Sequence, residues 1–303
     1  MTPCMKPLAR ICAVAVLASV SSALVGCPAA SLRDAQTHFS AGASAENRQT
    51  IEELTRYQLG IPELSEQQAV VEYRLACETA DDLIRTRANG LRQDKLLGTT
   101  QMIQVYSMWR ILALEGEQGA GEGMGQCALG FDGLSALSKQ IVRDHEANRI
   151  TLGTRDAVMA RAMPGFLDHE RGLAATSWTE ADRRFCSAIR LYSEAARGAP
   201  ADHSVRAYLD LAQLQGIGAW LGKAAELSET PPLKQQRWAA IRPFVGPAFC
   251  DLEAYTKVQE PAGQGPVTRL KGKQIQNFGL SPGDFACTRP QVLPDSCPSD
   301  TIR

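Results

Sequence analysis

The sequence predicts an all-α protein, and two observations support that prediction. Of the 303 residues, 44% are hydrophobic but only 6% are aromatic, and a core of small and aliphatic side chains suits closely packed helices better than sheets. Apolar residues also recur at helical spacing through most of the chain, and no stretch shows the sustained apolar/polar alternation of a strand. We expect a series of antiparallel helix pairs followed by a Pro- and Gly-rich C-terminal tail.

The first clear helix has an apolar face at steps of three and four residues. Its members are Ala69, Tyr73, Ala76, Ala80 and Leu83. A second helix is expected at 91–115. Five of the ten residues from Gly116 to Gly125 are glycine, which predicts a flexible loop, because glycine is poorly tolerated inside helices. Helices are expected again at 129–148 and 155–162, and Pro164-Gly165 is expected to break the chain.

A capping box precedes the next helix, since Ser177 is followed three residues later by Glu180. The apolar face behind it comprises Ala181, Phe185, Ala188, Tyr192 and Ala195. A long helix is expected to end near Leu227, and Pro231-Pro232 separates it from the last helices. The predicted helical domain therefore covers residues 27–258.

Residues 259–303 differ in character, because they contain six prolines and several glycines. This composition predicts an extended tail. Arg269, Lys271 and Lys273 form a small basic cluster in it, which we interpret as solvated charge; contact with an anionic envelope surface is the alternative.

The N-terminus has the order of a signal peptide. Lys6 and Arg10 are followed by fifteen uncharged residues, 11–25, a run too short for a comfortable transmembrane helix. The run ends in Leu24-Val25-Gly26-Cys27. Here the chain resembles bacterial lipoproteins, whose lipobox places Leu, a small or aliphatic residue, Gly or Ala, and then Cys. The alternative is an ordinary secretory signal in which Cys27 is incidental.

The resemblance implies that residues 1–26 are removed and that Cys27 carries the lipid that anchors the protein to a membrane. Several acyl chains give a stable anchor, whereas one gives marginal binding. Position 28 is Pro rather than Asp. In Gram-negative lipoproteins Asp at that position favours retention in the inner membrane, so the resemblance implies an outer-membrane protein that faces the periplasm.

Nine cysteines are present. Cys4 and Cys12 leave with the signal, and Cys27 is used by the lipid. The six that remain are disulfide candidates: Cys77, Cys127, Cys186, Cys250, Cys287 and Cys297. An even number in an exported chain predicts pairing, although six cysteines allow fifteen connectivities. We expect Cys287–Cys297 to close a loop in the tail, and Cys77–Cys127 and Cys186–Cys250 to be the simplest remaining pairs.

Part of the helical pattern resembles the tetratricopeptide repeat. Ala188, Tyr192, Ala195 and Pro200 are spaced as its second helix, with the start of a further unit at Tyr208, Leu211 and Ala212. Ala35, Phe39 and Gly42 resemble the first helix of the same motif. The resemblance covers about a quarter of the chain, lacks the Trp-Leu-Gly start and has no steady 34-residue period. It implies tetratricopeptide-like helix pairs or an irregular helical bundle.

Catalytic signatures are weak. Asp144-His145-Glu146 and Asp168-His169-Glu170 could supply metal ligands or a general base. Consecutive residues on a helix point in different directions, however, so one triplet does not converge on one ion. His145 and His169 are therefore weak metal candidates. We expect no cofactor and no enzymatic activity, and the near-neutral net charge of −1 does not favour nucleic-acid binding.

The leading hypothesis is an envelope scaffold that binds a protein partner. Candidate anchors for that partner are the tryptophans: Trp109, Trp178, Trp220 and Trp238. The alternatives are a carrier lipoprotein with a small-ligand pocket between helices and, less favoured, a metal-dependent enzyme. These residues do not name the partner or the process.

Overall fold

The computed structural model describes residues 32–44, 64–120, 125–227, 234–263, 265–278 and 287. The ordered secondary structure in these ranges is helical, and they contain no β-strand. The predicted all-α class is confirmed. The described helices are α1 (32–44), α2 (Leu64–Gln93), α3 (Leu97–Ala120), α4 (Phe131–Glu146), α5 (Thr154–Ala174), α6 (Trp178–Arg197), α7 (Ser204–Leu227), α8 (Lys234–Gln259) and α9 (Pro266–Phe278), with a short 3-10 helix at Gly125–Ala128.

The chain divides into two compact units, Met1–Ala160 and Arg161–Arg303. The boundary falls inside α5. The single helical domain expected over residues 27–258 spans parts of both units and stays a prediction.

An antiparallel hairpin of α2 and α3 forms the centre of the first unit. The turn at 94–96 connects the helices. Two polar pairs between them show that they run antiparallel. Gln104 donates a 3.0 Å hydrogen bond to Asp81, and Arg74 pairs with Glu115 at 2.7 Å. The predicted apolar face of α2 is buried from Ala69 to Leu83. Burying this face against α3 is the main stabilising contribution that the hairpin makes.

Helix α1 packs on this hairpin through aromatic side chains. The Phe39 ring lies 5.5 Å from that of Tyr73 and 6.1 Å from that of Tyr106. A Cβ at Gly42 would lie 2.9 Å from the Tyr73 ring, so glycine permits the close approach of the two helices. His38 and Glu72 form a polar pair at 2.7 Å beside this contact.

The second unit contains three successive antiparallel helices, α6, α7 and α8. The Trp220 indole N–H donates to Asp182 at 2.8 Å, and a Cβ at Gly216 would contact Ile189 at 3.5 Å. The capping box is confirmed on its Ser177 side, because the Ser177 hydroxyl accepts a hydrogen bond from the backbone N–H of Glu180. The predicted apolar face of α6, Ala181 to Ala195, is buried.

The tetratricopeptide resemblance is not confirmed by these helices. The pair α6 and α7 occupies residues 178–227, which is longer than the 34-residue helix pair of that repeat. The antiparallel order of the helices agrees with an irregular bundle.

The predicted break at Pro164 is wrong, because α5 continues through it to Ala174. Proline has no N–H, so the backbone oxygen four residues earlier, that of Ala160, loses its helical partner. The Ser138 hydroxyl of α4 donates a 2.6 Å hydrogen bond to this oxygen. A side chain from another helix thus satisfies the acceptor that the proline left.

The predicted limits of two other segments are also corrected. The second helix was expected to begin at residue 91, but α2 continues to Gln93, with a non-helical Arg87, and α3 begins only at Leu97, after the turn. The expected glycine loop is partly helical, since α3 extends to Ala120. Gly116 has φ of +70° inside that range, a conformation that favours glycine.

The tail is not simply extended, since residues 266–278 form helix α9, which packs against α7 and α8. Glu260 supplies its N-terminal cap: one carboxylate oxygen accepts from the Val267 N–H at 3.1 Å and the other from the Thr268 N–H at 2.7 Å. Pro266 suits the first turn, because N–H groups there have no acceptor within the helix and the missing N–H of proline costs no hydrogen bond. Val267, Leu270 and Phe278 pack against the core of this unit.

Candidate functional site

The predicted lipidation residue, Cys27, and the signal at 1–26 lie outside the described residues. The first helix described begins at Leu32, whose side chain is fully buried. Among the helices that the structure describes, none has the length and hydropathy needed to cross a membrane.

The cysteine pairing is partly as predicted. Cys77 and Cys127 form a disulfide with a Cα–Cα distance of 6.0 Å, which confirms that pair and ties the 3-10 helix to α2. Such a link contributes about 2–4 kcal/mol, mainly by restricting the unfolded chain.

The other two predicted pairs are wrong. Cys250 is bonded to Cys287, which excludes both Cys186–Cys250 and Cys287–Cys297. The physical reason is α9, which packs back on α8, the helix of Cys250, instead of extending away from it. Cys186 is also disulfide-bonded, and its partner lies outside the described residues.

The two Asp-His-Glu triplets are used structurally. Asp144 accepts from the Arg149 and Gln140 side chains. Asp168 accepts from Arg184 at 2.9 Å and from Ser187 at 2.6 Å. Within the described ranges, no group of three or more His, Cys, Asp or Glu side chains is arranged to hold a metal ion.

The two histidines have different environments. His145 is half-buried, and its Nδ1 is buried without a hydrogen-bond partner. His169 is 8% exposed and meets the Phe185 ring edge-on, with the ring centroids 5.6 Å apart. Burial lowers the pKa of His169 to about 4, because desolvation disfavours the charged imidazolium. His169 is therefore a neutral packing residue at physiological pH.

The tryptophans that the structure describes are mostly core residues. Trp109 and Trp220 are buried, and half-buried Trp178 lies 5.6 Å from Trp220 between ring centroids. The side chain of Trp238 lies outside the described set. Large apolar side chains that are exposed are found elsewhere: Val71 (53%), Leu75 (39%) and Val258 (69%). Val71 and Leu75 are one turn apart on α2, so they form a small adjoining pair.

A buried carboxylate that the sequence analysis missed lies in the second unit. Asp210 is 4% exposed on α7, and its Oδ2 has no hydrogen-bond partner. Desolvation raises the pKa of Asp210 well above its usual range; the nearby Asp251 raises it further and Arg206 lowers it. Arg206 instead pairs with Asp251 at 2.8 Å. The sequence contained a signal for this buried carboxylate, namely an acidic residue inside the largely apolar segment Tyr208–Leu214.

The basic cluster in the tail is not uniformly solvated. Lys271 contacts Glu253 of α8, and its Nζ lies 5.7 Å from the centroid of the Phe249 ring. The Lys271 hydrogen bond is the largest cause of the lowered pKa of Glu253. Arg269 and Lys273 are exposed, as expected. Lys271 therefore holds α9 against α8.

Comparison with known protein families, curated proteins and solved structures finds no match to the chain.

Proposed function

We propose that the chain is an envelope lipoprotein, anchored through acylated Cys27, whose helical body binds a protein partner. The observation that carries the anchor is Leu24-Val25-Gly26-Cys27 at the end of a fifteen-residue uncharged run preceded by Lys6 and Arg10. Pro28 in place of Asp favours the periplasmic face of the outer membrane, by the resemblance to Gram-negative lipoproteins.

The disulfides support export independently of the N-terminal pattern. Cys77–Cys127 and Cys250–Cys287 are bonded, and Cys186 is bonded as well. Stable disulfides form in oxidising compartments such as the periplasm and are rare in the cytosol. A helical protein with several disulfides agrees with folding after export.

Two features of the described residues support a partner-binding role: the structural use of the polar groups and an exposed apolar pair. Asp168 of one Asp-His-Glu triplet links α5 to α6 through Arg184 and Ser187, and no described cluster of side chains is arranged to hold a metal ion. The exposed pair Val71 and Leu75 is the candidate contact for a protein, because the buried centre of a protein interface is apolar. Val258, an exposed apolar residue on α8, is the matched control.

Palmitate labelling in the producing bacterium tests the anchor. Cys27→Ala is expected to abolish the label and leave the uncut precursor. Cys12→Ala is the matched control, since Cys12 lies inside the predicted signal, and it should label normally. Unchanged labelling of Cys27→Ala would refute the proposed anchor. In a Gram-negative host, Pro28→Asp should shift the protein to the inner-membrane fraction.

Crosslinking in intact cells, followed by detergent extraction of the tagged protein, tests the partner. We expect one stoichiometric envelope protein to be recovered, and Val71→Glu with Leu75→Glu to lose it. Val258→Glu should retain it. Recovery of the lipoprotein alone would contradict the scaffold role and leave the anchor unaffected.

A further inference from the structure

The start of α1 and the turn between α2 and α3 lie at the same end of the first unit. Near its C-terminus, α1 contacts the start of α2, since a Cβ at Gly42 would lie 3.2 Å from the Ala69 carbonyl oxygen. Four residues earlier, His38 contacts Glu72. Moving back along α1 therefore moves forward along α2. The two helices are antiparallel. The N-terminus of α1, at Leu32, therefore lies towards the end of α2 where the turn begins.

The predicted lipid is attached close to this end. Cys27 lies five positions before Leu32, and five Cα–Cα steps span at most about 18 Å. At the helical rise, Leu32 lies about 9 Å before the level of His38, and Arg87 about 22 Å beyond that of Glu72. The difference, about 13 Å, is within the reach of these five steps. The end of the hairpin can therefore approach the membrane surface that holds the lipid.

This end of the hairpin carries exposed cations, which we call the basic end: Arg87, Arg92 and Lys95. In the part of the chain that the structure describes, none of these three forms an ion pair with a carboxylate. Arg85 is excluded from the set, because it pairs with Asp82 at 2.6 Å. Asp94 is the one acid between Thr86 and Leu96, so the segment has a net charge of +2.

We propose that the basic end lies against the anionic phospholipid headgroups of the membrane that holds the lipid anchor. Each cation near an anionic surface adds to the attraction, which decays within a Debye length. Acylation at Cys27 allows the basic end to come within that distance. The inference rests on the proposed anchor, and it adds a second contact that would orient the first unit on the membrane.

The reactivity of the Lys95 amine tests this contact. The mature lipidated protein is reconstituted in vesicles of phosphatidylcholine alone or of phosphatidylcholine mixed with phosphatidylglycerol. It is then treated briefly with a water-soluble acetylating reagent, and each lysine is quantified by mass spectrometry. We expect Lys95 to react about threefold or more slowly in the anionic vesicles at low salt and to recover at high salt. Lys139, exposed in the middle of α4, should react equally in both.

Paired variants separate the basic end from general charge. Arg87→Gln with Arg92→Gln should remove most of the protection of Lys95. Arg197→Gln with Arg269→Gln, which changes two exposed cations of the second unit, should preserve it. Equal reactivity of Lys95 in the two vesicle types, with acyl groups present on the N-terminal peptide, would overturn this contact alone. An N-terminal peptide without acyl groups would overturn the proposed anchor.

Discussion

The Glu260 carboxylate accepts two hydrogen bonds from Thr268, one from the backbone N–H and one from the hydroxyl, each 2.7 Å long. This acid lies before α9 in the sequence and satisfies donors of its first turn, so it does for α9 what a local capping residue does for other helices. With Lys271 and the Cys250–Cys287 bond, it attaches to the second unit a helix that the composition of the tail did not indicate.

Loss of the Glu260 cap should destabilise the second unit. Glu260→Ala is expected to lower the free energy of unfolding by about 1 kcal/mol, because the N–H groups of Val267 and Thr268 lose their acceptor. Urea denaturation followed by circular dichroism measures the change. Glu226→Ala, at a site where the side chain is 62% exposed, is the control and should change it by less than about 0.5 kcal/mol. Equal effects of the two variants would contradict the capping role.

Two glycines in neighbouring helices of the first unit should respond oppositely to alanine. A Cβ at Gly98 would collide with the backbone oxygen of Thr151, whereas a Cβ at Gly90 would meet nothing within 4 Å. Gly98→Ala should therefore destabilise the protein by about 1–3 kcal/mol. Gly90→Ala should stabilise it by about 0.5–1 kcal/mol through helix propensity. Thermal unfolding of both variants measures these changes. A stabilising Gly98→Ala would contradict the collision, because it would show that α3 can shift away from Thr151.

The buried His169 should make stability depend on pH. Its pKa is lowered to about 4 in the folded state, against 6.5 for an unperturbed histidine. The unfolded state therefore binds the proton first. The contribution of His169 is present in full above about pH 6.5 and is lost as the pH falls towards about 4, with an upper limit of about 3 kcal/mol.

Denaturant unfolding at a series of pH values measures this loss in the wild type and in His169→Gln. The variant should show a shallower decline between about pH 6.5 and 4, since the amide does not titrate in that range. His203→Gln is unsuitable as a control, because the His203 ring accepts a hydrogen bond from the Val205 N–H. His145→Gln is the better comparison, because it removes a half-buried histidine from a different helix. Identical slopes for wild type and His169→Gln would rule out the neutral buried histidine.

Peptide mapping without reduction should recover two linked pairs, Cys77–Cys127 and Cys250–Cys287. With these four assigned and Cys186 also bonded, Cys297 is the remaining cysteine of the predicted mature chain. We expect it to be linked to Cys186. A free thiol at either position, or a peptide linking Cys186 to Cys250, would contradict this pairing, and the reduced digest provides the control.

Local features were predictable because their causes lie within a few residues. The apolar faces Ala69–Leu83 and Ala181–Ala195 follow from helical periodicity alone, and both are buried. The Ser177 cap needs only a hydroxyl three residues before a backbone N–H. The Cys77–Cys127 pair was predictable as the link between neighbouring helical segments.

The errors have causes that lie far along the chain. Pro164 was interpreted as a break because its local effect is to remove a hydrogen bond, and the compensating hydroxyl of Ser138 comes from another helix. The Asp210 carboxylate was not singled out, because its raised pKa depends on burial in the folded unit and on Asp251 of α8. No local rule assigns such partners, since they depend on which helices pack together.

The sequence by itself determined the helical class, the faces that would be buried and the signal-like N-terminus, because periodicity, capping and charge order act over a few residues. Only the tertiary structure decided the division at Ala160, the course of α5 through Pro164 and the bond between Cys250 and Cys287. These features depend on contacts between residues distant in sequence, and such contacts form only when the ordering entropy is offset by the whole packed unit.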